Sequence, residues 1–181
     1  MPEEKKESTV WEFVKVIAIS ILIVIPIRTY VAQPFIVEGS SMETNYHNGE
    51  YLIIDELTYA FRPPQRGEVI IFRYPLNPSE FFIKRIIGLP GETVEIKNSK
   101  ILINNIPMNE QYLPQNLQTG PDQVKQLPAN QYFVMGDNRT ASSDSRIWGL
   151  LPKSNITGRV LLRLWPINRA GIVKEPQLSY K

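Results

Sequence analysis

The chain has 181 residues, 43% of them apolar, with 20 Lys and Arg against 18 Asp and Glu for a net charge of +2. One folded domain of ordinary hydrophobicity is expected, and no charge field points to nucleic acid. Cysteine is absent and histidine occurs once, at His47, which excludes disulfides, thiolate metal sites and a cysteine nucleophile, leaves a histidine-based zinc site short of ligands, and obliges any Ser/His/Asp triad to use His47.

Residues 16–27 read VIAISILIVIPI without a charge, and apolar residues continue on both sides between Lys15 and Arg28. A bilayer span needs roughly 20 residues, and the window 10–32 supplies them if Lys15 and Arg28 snorkel toward the headgroups. Lys5, Lys6 and Lys15 precede its centre and Arg28 stands alone until Arg62, so the amino terminus is expected in the cytoplasm. The expected division is a cytoplasmic tail at 1–9, a transmembrane helix at 10–32 and a folded body at 33–181. A cleavable signal peptide and a buried core helix are the competing readings, and Tyr30-Val31-Ala32 is a poor cleavage site for the first.

The body carries short runs rich in Val, Ile, Phe and Tyr between Gly, Pro and Asn, so a mainly β, antiparallel domain is predicted. Candidate strands are 35–38, 51–55, 68–73, 81–87, 93–97, 100–104, 131–135 and 158–165, with Asn98-Ser99 as a hairpin turn. The stretch from 104 to 131 is polar and Pro-containing and reads as a long loop within a small insertion at about 95–130, carrying no chemistry.

Three segments hold chemistry-bearing residues. Gly39-Ser40-Ser41-Met42 puts a hydroxyl at a strand end, where serine is also an ordinary turn residue. His47 follows in a polar turn and reads as an exposed loop residue. Lys84 lies in FFIKRII, where a strand places Phe82, Lys84 and Ile86 on one face and Arg85 on the other. Burial there would pull the amine from about 10.4 toward about 7 to 8, where it can take a proton from serine, although a strand lysine also snorkels to water. Third, Asp137, Asn138 and Arg139 follow Gly136 and precede Ser142, Asp144 and Arg146, which reads as a mutually salt-bridged loop whose hydroxyl could also hold an amine in position. Spacing alone does not bring these segments together.

With these motifs in family order, the chain resembles the bacterial type I signal peptidases, Ser/Lys dyad serine peptidases that release exported proteins from their signal sequences. The likeness rests on Gly39-Ser40-Ser41-Met42, the run RGEVIIF from Arg66, the run KRIIGLPGE from Lys84, and Gly136-Asp137-Asn138-Arg139 with Ser142, Asp144, Ser145, Arg146, Trp148 and Gly149. It implies an antiparallel β catalytic domain behind one transmembrane helix, in the plasma membrane, with the catalytic domain outside the cytoplasm. It further implies Ser41 as nucleophile, Lys84 as general base, Ser142 as the hydroxyl orienting Lys84, and Phe35, Val37, Phe82 and Ile83 as walls for an Ala-X-Ala substrate. Gly39, Met42, Asp137, Asn138, Arg139, Asp144 and Arg146 are implied as structural neighbours of the site. No metal or organic cofactor is implied. The partners implied are signal-peptide-bearing preproteins, the lipid bilayer and the protein export machinery, with no nucleic acid.

Three features depart from the family pattern. Thr44 stands where a turn proline is usual, which frees φ after the nucleophile and predicts a less preorganised turn. Gly39 lacks the hydroxyl that assists the oxyanion in some relatives and leaves the Ser41 backbone N–H as the named donor. The insertion is thin and polar. Two alternatives remain open: a membrane-anchored β domain that binds peptides or partners without turnover, and a pilin-processing Ser/Lys peptidase.

Overall fold

The structure, a computed structural model, describes residues 9–26, 33–115, 117–174, 176 and 178. The amino-terminal apolar run forms helix α1, Thr9–Pro26. The span expected over 10–32 is not found among the described residues. Among the described residues no helix is long and apolar enough to cross a membrane. Residues 27–32, like the tail at 1–8, lie outside the described residues.

Twelve strands are described in the body. They are β1 (Gln33–Ile36), β2 (Tyr51–Asp55), β3 (Val69–Tyr74), β4 (Asn77–Gly88), β5 (Thr93–Lys97) and β6 (Lys100–Ile103), then β7 (Ile106–Pro107), β8 (Gln123–Gln126), β9 (Gln131–Met135), β10 (Leu151–Pro152), β11 (Ile156–Trp165) and β12 (Gly171–Ile172). Two one-turn helices interrupt them, α2 (Thr58–Phe61) and α3 (Ser145–Trp148). The large sheet runs β1-β2-β11-β3-β4-β9-β10 with β12 beside β11, and the small one β7-β6-β5-β8. Every pairing is antiparallel.

Alternation explains the two layers of core beside the large sheet. Val69 and Ile71 of β3 join Val37, Leu52, Ile54 and Ile83, whereas Ile70 and Phe72 join Ile86, Tyr132 and Val134 on the opposite face. A strand covered on both sides needs an unbroken apolar run, and Val69-Ile70-Ile71-Phe72 is one. The sheet also coils. The rings of Phe35 on β1 and Phe81 on β4 meet edge-on at 5.4 Å although three strands separate them in the sheet.

Two expectations change here. The first expected strand ends at Ile36 rather than residue 38, because the chain bends through Gly39 at φ +83°, a left-handed conformation that glycine adopts without steric cost. The stretch 104–131 is not a plain loop: β7 and β8 pair with β6 and β5, and Leu127 and Met108 pack with Val94, Ile96, Ile101 and Phe133. Its sequence is polar because only one face of so small a sheet reaches a core. Asn98 and Ser99, both at positive φ, turn β5 into β6.

Candidate active site

The β3–β4 hairpin positions the amine. Because β4 pairs with β9 only from Arg85 onward, its earlier stretch leaves one edge free of the sheet. β1 pairs with β2 alone. Coiling turns these edges toward each other, and a cleft of about 650 Å³ lies between them, with Phe35, Val37, Phe82 and Ile83 in its walls and Ser41 and Lys84 at the end toward which both strands run.

Lys84 Nζ stands 2.8 Å from Ser41 Oγ and 2.8 Å from the Ile83 carbonyl oxygen. The residue is only 4% exposed, and the Phe82 ring lies 5.2 Å from Nζ. Phe82 in turn stacks on Tyr74 at 4.4 Å, and Trp148 meets Tyr74 edge-on. Burial in these surroundings pushes the Lys84 amine down to about 8, while the carboxylates of Asp144 and Asp137 pull the other way.

The nucleophile turn is pinned from several directions. Asn138 donates its backbone N–H to the Ser41 carbonyl at 3.0 Å and its amide to the Ser40 carbonyl at 3.1 Å. Asn45 donates to Asp137 Oδ2 at 2.8 Å, while the guanidinium groups of Arg163 and Arg169 donate to the Asn45 carbonyl at 2.8 and 3.0 Å. Met42 and Tyr46 are buried beneath it. Hydrogen bonds from distant segments thus act on a turn in which Thr44, unlike a proline, leaves φ unrestrained. Gly39 closes the approach, donating to Asn48 Oδ1 at 2.9 Å.

Ser142 arrives from the loop after β9. A Cβ on Gly136 would overlap both Ser142 Oγ and the Ser41 carbonyl oxygen, so the absence of a side chain there lets the two loops touch. Ser142 Oγ is buried and has no hydrogen-bond partner among the described residues, hence no bond to Lys84. The mutual salt bridging expected within this loop holds only in part. Asp144 pairs with Arg146 at 2.7 Å and accepts the Gly136 N–H, but Asp137 pairs with Arg85 of β4 at 2.6 Å and Arg139 pairs with Glu110 from the insertion. Two of the four charged side chains in this loop, Asp137 and Arg139, have nearer partners on other segments. Tyr112 also accepts from Arg139, at 3.0 Å. The insertion therefore buttresses the site.

Arg85, Asn45, Glu110 and Tyr112 escaped the sequence reading. For Arg85 a signal existed, since two adjacent cations in a buried strand demand different solutions. For the other three none did, their partners being 29 to 92 residues away or, for Tyr112, 27. His47 is exposed and is not among the residues of the cleft. Among the described residues no group of three His, Cys, Asp or Glu side chains is placed to hold a metal ion.

The family model described as signal peptidase, peptidase S26, matches residues 10–165. The chain belongs to this family. As a member of the signal peptidase family it is a peptidase, and similar proteins span most of its length. The signal peptidase I of Leptolyngbya laminosa is 41% identical over 184 residues, covering 96% of this chain and 89% of the relative. The signal peptidase I P of Bacillus subtilis subsp. natto is 35% identical, covering 92% of this chain and 95% of that one. A solved signal peptidase I structure from Enterococcus faecalis V583 is 33% identical and covers 54% of this chain and 97% of the other, with a TM-score of 0.49. In this signal peptidase family member, all the sequence motifs that carried the resemblance border or brace one cleft.

Proposed function

We propose that the chain is a serine endopeptidase that cuts signal peptides from exported preproteins after small residues, with Ser41 as nucleophile and Lys84 as general base. The observation that carries this reading is the 2.8 Å approach of a buried, depressed amine to a hydroxyl in an apolar cleft. A neutral amine has a lone pair to take the serine proton, and burial keeps a useful fraction of it neutral near pH 8.

Ser41 Oγ attacks the carbonyl carbon of the small residue while its proton passes to Lys84 Nζ. The Ser41 backbone N–H meets the oxyanion. Collapse breaks the C–N bond, the proton moves from Lys84 to the leaving amine, and an ester on Ser41 remains. Water then gives a proton to Lys84 and attacks the ester, releasing the signal peptide with a free carboxylate and restoring the hydroxyl. Ser142 is a positioning residue in this scheme: its unpartnered buried hydroxyl suits the remaining hydrogen-bonding capacity of the Lys84 amine.

The substrate lies extended between the free edges of β1 and β4, with its small residues against Phe35, Val37, Phe82 and Ile83. Helix α1 attaches the domain to the bilayer. Its described side chains are exposed all round, Val10, Phe13, Val16 and Leu22 each by more than half, and lipid is the solvent that suits such a helix. The Lys-rich amino terminus places the peptidase domain, from about residue 33, on the outer side, where preproteins emerge from the export machinery.

The test is cleavage of an Ala-X-Ala preprotein by the wild type, Ser41→Ala and Lys84→Ala. Wild-type kcat/KM is expected to climb about tenfold per pH unit below about 8 and to level off above it, with both variants at background. Sustained cleavage by Lys84→Ala removes Lys84 as base, and an inert wild type favours a binding domain instead.

A further inference from the structure

The cleft walls are apolar, yet the residues that line the cleft include two carboxylates, Glu38 and Glu80, and one amine, Lys84. Lys84 works uncharged. Glu38 and Glu80 are both exposed, and neither forms an ion pair with a described residue; Glu80 accepts only from the neutral Asn77 side chain, at 2.7 Å. Arg73 is the nearby cation on the hairpin. It stacks at 4.7 Å on Phe81 and donates to the Pro78 carbonyl, and it forms no ion pair with Glu80. The cleft therefore has an uncancelled negative rim.

That rim has a definite place along a bound peptide. Glu80 precedes Lys84 by four residues, about 13 Å in a strand, and Glu38 precedes Ser41 by three. β1 and β4 both run toward the catalytic pair. A peptide lying along their edges with its scissile carbonyl at Ser41 passes these carboxylates at about the fourth to sixth residue before the cut.

We propose that Glu38 and Glu80 act as a charge filter on the substrate, favouring Lys or Arg and rejecting Asp or Glu at about the fourth to sixth residue ahead of the cleavage site. The inference rests on the substrate placement proposed above and goes beyond it, since small residues at the cut carry no charge to read. Partly exposed charge pairs are worth little singly, but attraction for one sign and repulsion of the other act together on the ratio of the two substrates.

Three peptides identical except for Lys, Gln or Glu at the fifth residue before the cut provide the test. Binding to the full-length Ser41→Ala protein is read by fluorescence anisotropy, and turnover by the wild type is read as kcat/KM. The Lys peptide is expected to exceed the Glu peptide by about tenfold in both measurements at 10 mM salt. The ratio should shrink toward one at 1 M salt, where the screening length falls from about 30 Å to about 3 Å. Glu38→Gln combined with Glu80→Gln should likewise bring it close to one. A wild-type ratio within twofold at low salt, or a ratio that the double variant leaves intact, overturns the filter. Binding that discriminates without any turnover supports the filter and counts instead against the proposed peptidase chemistry.

Discussion

The two faces of β4 solve the same problem in opposite ways. Lys84 and Arg85 are consecutive cations, 4% and 2% exposed. On one face Arg85 meets Asp137 through two guanidinium bonds at 2.8 and 2.6 Å and donates to the Gly67 carbonyl at 2.7 Å. On the other, Lys84 has a hydroxyl, a carbonyl and an aromatic ring, and among the described residues no carboxylate within ion-pair reach. A buried guanidinium is never deprotonated and must be paired, whereas a buried amine can shed its proton. Arg85 thus fixes the strand and Lys84 is left reactive, and the choice of side chain at each position decides which.

The sharpest way to break this contrast is to unpair Arg85. Asp137→Ala leaves a buried guanidinium without its anion and should cost about 3 to 5 kcal/mol in urea unfolding; a loss under about 1 kcal/mol would mean that water reaches that face. The opposite sign is expected for Lys84→Met. Burial pushes the folded-state amine down from its ordinary 10.5 to about 8, so the unfolded chain holds the proton more tightly and burial opposes folding. That penalty, about 3 kcal/mol, is fully present below about pH 8 and fades as pH rises to about 10.5. Lys84→Met should therefore raise the unfolding midpoint at pH 7 and lose its advantage by about pH 11, as equilibrium denaturation at several pH values would register.

Gly136→Ala sharpens the reactive side alone. Its methyl group would push the Ser142 hydroxyl and the Ser41 carbonyl apart, and displacement on the order of an ångström costs about 100-fold in kcat with KM changed much less. Equal loss in kcat and thermal stability would point to misfolding of the loop instead. The smallest effect is expected in the insertion, where Lys97 and Glu95 make a 4.0 Å pair with Lys97 largely exposed. Glu95→Gln should change stability by less than about 0.5 kcal/mol, and by still less at high salt.

Much of this was readable from the residues in order. Continuous apolar runs announced β3 and β9, Asn98-Ser99 announced a hairpin, and Lys84 stood out because an amine on an apolar strand face is costly. The helix at the amino terminus was legible as an uncharged run of Ile, Leu and Val. The insertion, by contrast, misled. Two-residue strands such as β7 carry too little pattern to rise above a loop, and the ion pairs that Glu110 and Arg139 form depend on a fold that brings residues 29 apart together.

By itself, the order of amino acids determined that this chain makes an antiparallel β body with a serine at one strand end, a lysine inside another strand and an acid-base loop behind a glycine. Periodicity and turn chemistry are local, so they survive in one dimension. Only the tertiary structure decided that coiling of the large sheet faces β1 with β4, that Ser41 comes within 2.8 Å of Lys84, and that Asp137 goes to Arg85 and leaves Lys84 unpaired. Those outcomes depend on which distant groups share a buried volume, and there burial and pairing, rather than residue type, set the charge state of each cation.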